Sequence, residues 1–210
     1  MATGISPIGR VSRLPNAEER AQYGEFKYLE FARVPVAFVV SADAGVSDLT
    51  EQQICDIFAG RVTRWKEVGG SDLPIAVQDR PDSGSNMQAI RENFACFANL
   101  KVTPTARPNE RNSDLVESMK TISGAIGFMP LSEAALHGFK TVTLNGVGPD
   151  MEHYKLGVGL GFVYKKALPP DIVAFIDYLK TEPARNLIRQ TGHTPAWPQE
   201  VIVQAKSPTK

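Results

Sequence analysis

Cysteine is scarce in this 210-residue chain: Cys55 and Cys96 stand alone, too few and too widely spaced for a thiolate zinc site or a CxxC redox pair. The three histidines, His137, His153 and His193, are scattered and form no HExxH or other short-range ligand pair, so no metal and no cofactor is expected. Charge of one sign is missing too. Twenty-three basic and 23 acidic side chains cancel, whereas a nucleic-acid binder carries a basic surplus to neutralise phosphates, so nucleic acid is not an expected partner. Apolar runs such as residues 34–40 fall far short of the roughly 20 residues that span a bilayer, and no charged-then-apolar leader precedes them. Membrane insertion of this chain is therefore not expected. No internal repeat organises the sequence.

What remains is an ordinary globular composition, 42% hydrophobic and 22% charged, long enough for one large domain or two small lobes. Residues 34–40 are a β-branched run and read as a buried strand. Thr50 and Gln53 make a capping-box pattern ahead of Ile54, Ile57 and Phe58, a helix that Gly60 stops. Residues 73–77 read as a strand delivering the chain to Arg80. A small-residue loop and a helix with Met87, Ile90, Phe94 and Phe97 at helical spacing follow. Asn112, Ser113 and Asp114 are good cap residues before another helix, and 124–129 reads as a buried strand. Further on, 160–164 is strand-like and 170–179 is a helix with Ile172, Phe175, Ile176 and Leu179 inward. This βα rhythm predicts an α/β fold with a mostly parallel sheet.

The chemistry concentrates between Arg80 and Ser85. A helix N-terminus leaves backbone N–H groups unpaired and carries partial positive charge, so small residues there let an anion approach. Ser83, Gly84 and Ser85 meet that demand, and the guanidinium fork of Arg80 matches two oxygens of a tetrahedral anion. The competing reading is structural: Asp82 or Ser83 caps the helix, and Arg80 makes a surface ion pair. The segment is neither a P-loop nor a GxSxG nucleophile elbow, and a hydrolase using Ser83 would lack a histidine base at readable spacing.

Several motifs together resemble the phosphate-binding proteins of bacterial ABC transporters, including the DING-type proteins. They are LTEQQICDIFAG at 49–60, RVTRW at 61–65, EVGG at 67–70, LPIAV at 73–77 and RPDSGS at 80–85. SGAIGFMPLSEA at 123–134, TLNGVGP at 143–149 and QTGHTPAW at 190–197 extend the likeness along the chain. The resemblance implies a two-lobed type II periplasmic-binding-protein fold, with lobe I from 1–39 and 131–210 and lobe II, carrying the anion loop, from 40–130. It implies that Arg80 grips the anion while Ser83, Gly84 and Ser85 contact it through hydroxyls and amides. IGRVSRLPNAEE at 8–19 resembles the family segment that adds a serine, here Ser12. In DING-type relatives similarly placed cysteines are joined, which implies a Cys55–Cys96 disulfide in an oxidising compartment, with two buried thiols as the alternative. Trp65 matches a family tryptophan and reads as a packed anchor.

Three departures bear on function. The family's first anion loop, in a stretch preceding the segment at 8–19, has no counterpart here, so lobe I is expected to be incomplete. Arg13 and Val34 stand where relatives carry an aspartate that accepts a proton from hydrogen phosphate, and without that acceptor selectivity against sulfate is left open. The interval from Arg80 to Ser83 is one residue shorter than the commonest spacing. The resemblance thus implies a non-enzymatic, extracytoplasmic protein that captures inorganic phosphate or a similar tetrahedral oxyanion for an ABC transporter permease. The alternative is a sensory or interaction module that has lost tight anion binding. An incomplete lobe leaves an unpaired edge or apolar face, so the chain is expected to be poorly soluble or self-associating; a monodisperse monomer in light scattering would contradict this.

Overall fold

The computed structural model describes residues 6–12, 17–151, 153–196 and 200–203. Strand β1 (Gly9–Val11) and helix α1 (Ala17–Tyr23) lead into a 15-residue strand, β2 (Phe26–Val40). Strand β3 (Asp48–Leu49), helix α2 (Glu51–Phe58), strand β4 (Ala76–Asp79), helix α3 (Ser85–Asn93) and strand β5 (Arg107–Pro108) follow. Next come helix α4 (Asn112–Thr121), strand β6 (Ala125–Pro130), helix α5 (Leu131–Leu136) and strands β7 (Lys140–Thr141) and β8 (Thr143–Leu144). Beyond them lie strand β9 (Gly157–Tyr164), helices α6 (Pro170–Leu179) and α7 (Glu182–Gln190), and strands β10 (Thr194–Pro195) and β11 (Glu200–Val203).

The chain divides into two compact units, Met1–Val34 with Val158–Lys210, and Pro35–Gly157. Strand β2 changes partners at that division. Its residues 26–29 and 32–33 pair antiparallel with β11 and β10, and its residues 36–40 pair antiparallel with β6. Pro35 stands at the change, where a residue without an N–H cannot donate to a ladder. The first division of the chain falls at 34–35, where the resemblance implied 39–40. The return crossing falls at 157–158 instead of 130–131, because residues 131–157 are tied into the second unit. Strand β7 pairs with Val39 and Val40, β8 runs parallel with β3, and the Tyr154 hydroxyl donates to the Val36 carbonyl at 2.7 Å.

In the first unit β1 pairs antiparallel with β9, Val11 opposite Gly161. Phe26, Tyr28 and Val163 form one buried cluster, and Leu29, Tyr164 and Ile176 form a second. Helix α6 has the expected bounds, yet Phe175 is 47% exposed rather than inward. Its ring meets Phe162 edge-on at 6.1 Å, and Ile176 fills the buried position next to it.

In the second unit β4 lies between β5 and β6 and runs parallel to both, the pairing that strand–helix–strand connections produce. Residues 36–40 of β2 are fully buried, as suits a strand covered on both faces. Their Phe38 joins Phe58, Phe94, Phe97 and Phe128 in an aromatic core with ring centroids 5.4–6.1 Å apart. Trp65 is buried, and its indole N–H donates to the Gly124 carbonyl at 3.0 Å. The anchor role read from sequence is the one it has. Gly124 adopts φ +68° and a β-carbon there would collide with the Pro74 carbonyl, so only glycine fits.

Thr50 and Gln53 form the capping box of α2: Gln53 N–H donates to the threonine hydroxyl at 3.1 Å, and Thr50 N–H donates to the glutamine side chain at 2.8 Å. Cys55, buried on that helix, is disulfide-bonded to Cys96 in the turn after α3, across 41 residues. A covalent tie between distant residues lowers the entropy of the unfolded chain. Replacing both cysteines by serine is expected to lower unfolding free energy by about 2–4 kcal/mol, measured by urea denaturation beside the oxidised parent.

Candidate functional site

Strand β4 ends at Asp79, whose carboxylate accepts the Arg80 N–H at 2.8 Å. Burial pushes the Asp79 carboxyl above the usual carboxylate range, opposed by that backbone bond. Directly after Arg80 the chain closes a tight turn in which Gly84 N–H donates to the Pro81 carbonyl at 2.9 Å. Gly84 is extended, at φ −69° and ψ 137°, and is the N-cap of α3, with no side chain capping the helix. The amides of Ser85 and Asn86 consequently have no acceptor among the described residues. A β-carbon at Gly84 would approach only the Pro81 carbonyl, at 3.1 Å. Ser83 is exposed, while Gly84 and Ser85 are half-buried.

The Arg80 side chain is half-buried. Its Nη1 donates to the Asn109 carbonyl at 3.0 Å and its Nη2 to Asn112 Oδ1 at 2.9 Å. Among the described residues no carboxylate forms an ion pair with it. Burial lowers its pKa from the free value, and the more distant charges of Asp114 and Glu110 offset part of that. The guanidinium, like any arginine in a protein, stays cationic at neutral pH.

Neither half of the structural alternative holds. Asp82 does not cap α3; it pairs with Arg91 at 2.8 Å, and Arg91 is fixed from behind by the Phe97 and Leu100 carbonyls, at 2.9 and 3.1 Å. Among the described residues Arg80 makes no surface ion pair. A cavity of about 340 Å³ borders Asp79, Arg80, Pro81, Asp82 and Arg91, although Ser83, Gly84 and Ser85 lie outside its lining.

Sequence reasoning missed the elements that aim the guanidinium. Asn109 is buried, 1% exposed, and its amide donates to the Arg107 carbonyl at 2.9 Å and to Gln78 Oε1 at 3.3 Å. The hydroxyl of Ser118, also buried, donates to Asn109 Oδ1 at 2.8 Å. Asn112 occupies the first position of α4, whose N-cap is Arg111 and whose Asp114 accepts the Arg111 N–H at 2.9 Å. Asn112 therefore serves Arg80 instead of capping the helix. Asn112, Ser113 and Asp114 at a helix start signal a cap, and nothing local marks a partner 32 residues upstream.

Ser12 follows β1 in the first unit and is half-buried, so it is not among the residues the second unit gathers around Arg80. Arg13 and Trp197 lie outside the described residues. Val34 closes the first unit's share of β2 and offers no acidic acceptor. Two histidines have partners remote in sequence from Ser83: His137 contacts Glu133 at 3.4 Å, and His193 shares a hydrogen bond with Thr191 at 2.8 Å.

Comparison with known proteins gives this geometry a context. The Bacillus subtilis (strain 168) phosphate-binding protein PstS is 27% identical over 183 residues, covering 84% of this chain and 60% of the relative. This chain thus spans less than two thirds of that protein's length. A Clostridium perfringens structure assigned as a phosphate ABC transporter substrate-binding protein, with bound phosphate, superimposes with a TM-score of 0.77 at 27% identity, covering 93% of this chain and 82% of that one. An ABC-type phosphate transport receptor from Vibrio cholerae gives 0.65 at 25% identity, covering 91% and 81%. The fold is the type II periplasmic-binding-protein fold. Residues 2–191 match the family described as the PBP superfamily domain, and the chain belongs to that family.

Proposed function

We propose that this chain captures inorganic phosphate or a closely similar tetrahedral oxyanion outside the cytoplasm and delivers it to an ABC transporter permease. One observation carries the reading: Arg80, whose half-buried guanidinium has no carboxylate partner among the described residues, immediately precedes the turn that leads into the uncapped N-terminus of α3. A cation partly removed from water is costly to leave unpaired, and a helix N-terminus favours negative charge. A tetrahedral anion satisfies both, taking two oxygens to the guanidinium fork and others to amides and serine hydroxyls. The phosphate-binding relatives and the phosphate held in the Clostridium perfringens protein support the same ligand class. The Cys55–Cys96 disulfide suits an oxidising compartment. Binding is the whole of the proposed activity, with no catalytic step, metal or cofactor.

Calorimetric titration with phosphate, arsenate and sulfate tests the reading. Phosphate is expected to bind, and Arg80→Ala to weaken it by about tenfold to a hundredfold, the range that corresponds to losing hydrogen bonds to a charged group, about 1.5–3 kcal/mol. Heat from none of the three anions would overturn the proposal and leave the sensory or interaction module as the better account.

A further inference from the structure

We propose that Asn112 is the positioning residue of the anion site, orienting the Arg80 guanidinium through a neutral acceptor so that its charge stays available to the ligand. The inference rests on the reading of Arg80 as the anion-gripping residue. An arginine has five N–H donors, and here two are spent, on the Asn109 carbonyl and on Asn112 Oδ1. Both acceptors are uncharged. They fix the plane of the fork on two of its nitrogens while leaving three donors and the full positive charge. A carboxylate at either place would hold the fork just as well and neutralise it.

The nearby acidic groups are disposed accordingly. Asp79 spends an oxygen on the Arg80 backbone N–H. Asp82 is paired with Arg91, and Asp114 accepts from the backbone of Arg111. Glu110 and Asp114 act on Arg80 through space without a direct ion pair. The Asn109 side is held by the buried Ser118 and Gln78 and depends on a main-chain oxygen. Asn112 therefore supplies the one side-chain acceptor of the clamp that a substitution can recharge without touching the core.

The decisive variant is Asn112→Asp. A carboxylate in the first turn of α4 is favoured by the helix dipole and gains an ion pair with Arg80, so the melting temperature is expected to hold or rise. Phosphate affinity is expected to fall at least tenfold, because the new carboxylate competes for the guanidinium and repels the anion. Affinity and stability moving in opposite directions is an outcome that structural damage does not produce. A loss smaller than tenfold, or a loss accompanied by a lower melting temperature, overturns the proposal. Should Asn112→Asp fail to fold, Asn112→Ala decides: phosphate binding about threefold to tenfold weaker with the fold intact supports the positioning role, and parental affinity refutes it. Titration of the parent and Arg80→Ala in the same series separates the two levels. A parent that binds no anion removes the reading of Arg80 itself, whereas a parent that binds through Arg80 beside an unimpaired Asn112→Asp removes only the role of Asn112.

Discussion

An ion held partly out of water must be compensated, and the way Arg80 is compensated organises this whole corner of the protein. Its two hydrogen-bond partners are a main-chain carbonyl and a side-chain amide oxygen, at 3.0 and 2.9 Å. Each gives back part of the lost hydration, and neither cancels the charge. Two effects compete here: ion pairing with a carboxylate would compensate the guanidinium more fully, whereas neutral acceptors leave free energy to be recovered under the proposed anion-binding role. Only an interaction that strengthens on binding contributes to affinity, and a guanidinium already neutralised would have little left to give.

The fold supplies the rigidity this arrangement needs. Strand β4 delivers Arg80, and the neighbouring strands β5 and β6 run parallel to it. Gly127 on β6 lets α4 come close: a β-carbon there would lie 2.9 Å from Leu115 Cδ1 and 3.3 Å from Gln78 Cβ. Close approach brings Ser118 of α4 within 2.8 Å of Asn109. The buried polar chain Ser118–Asn109–Gln78 then fixes the segment whose carbonyl receives Arg80. Buried polar groups are expensive unless bonded. Here the bonding sets the position of the backbone oxygen that accepts from Arg80.

The parts of this structure that could be read from sequence are those whose cause is local. The capping box at Thr50 and Gln53 spans four residues, and the small-residue turn after Arg80 declares its open helix end through glycine and serine. The bounds of α6 follow from its apolar spacing and Pro170 at the first position. Causes that act across the chain were silent. The return crossing at 157–158 is set by pairings such as Val39 with Thr141, between strands of which one is only two residues long. The exposure of Phe175 depends on what packs over α6, which periodicity does not encode. Asn112 and Asn109 are unremarkable polar residues until the fold lays them against Arg80. The disulfide was legible through family resemblance, since two cysteines 41 residues apart carry no pairing rule of their own.

The same logic gives the disulfide a place near the site as well as in the core. Asp82 lies two residues from Arg80, and a carboxylate free in that turn would compete with any anion for the guanidinium. It is instead drawn toward Arg91, at 2.8 Å. Because Asp82 is largely exposed, this pair contributes little stability of its own. What makes it hold a direction is that Arg91 is itself anchored, through Nη1, to the carbonyls of Phe97 and Leu100. Those carbonyls belong to the turn that begins beside Cys96, and Cys96 is fastened to α2 by the bond to Cys55. Phe97 is buried in the aromatic core from the same turn. A covalent link and a packed ring thus fix two backbone oxygens, these fix the Arg91 guanidinium, and that guanidinium holds the Asp82 carboxylate in an ion pair beside Arg80.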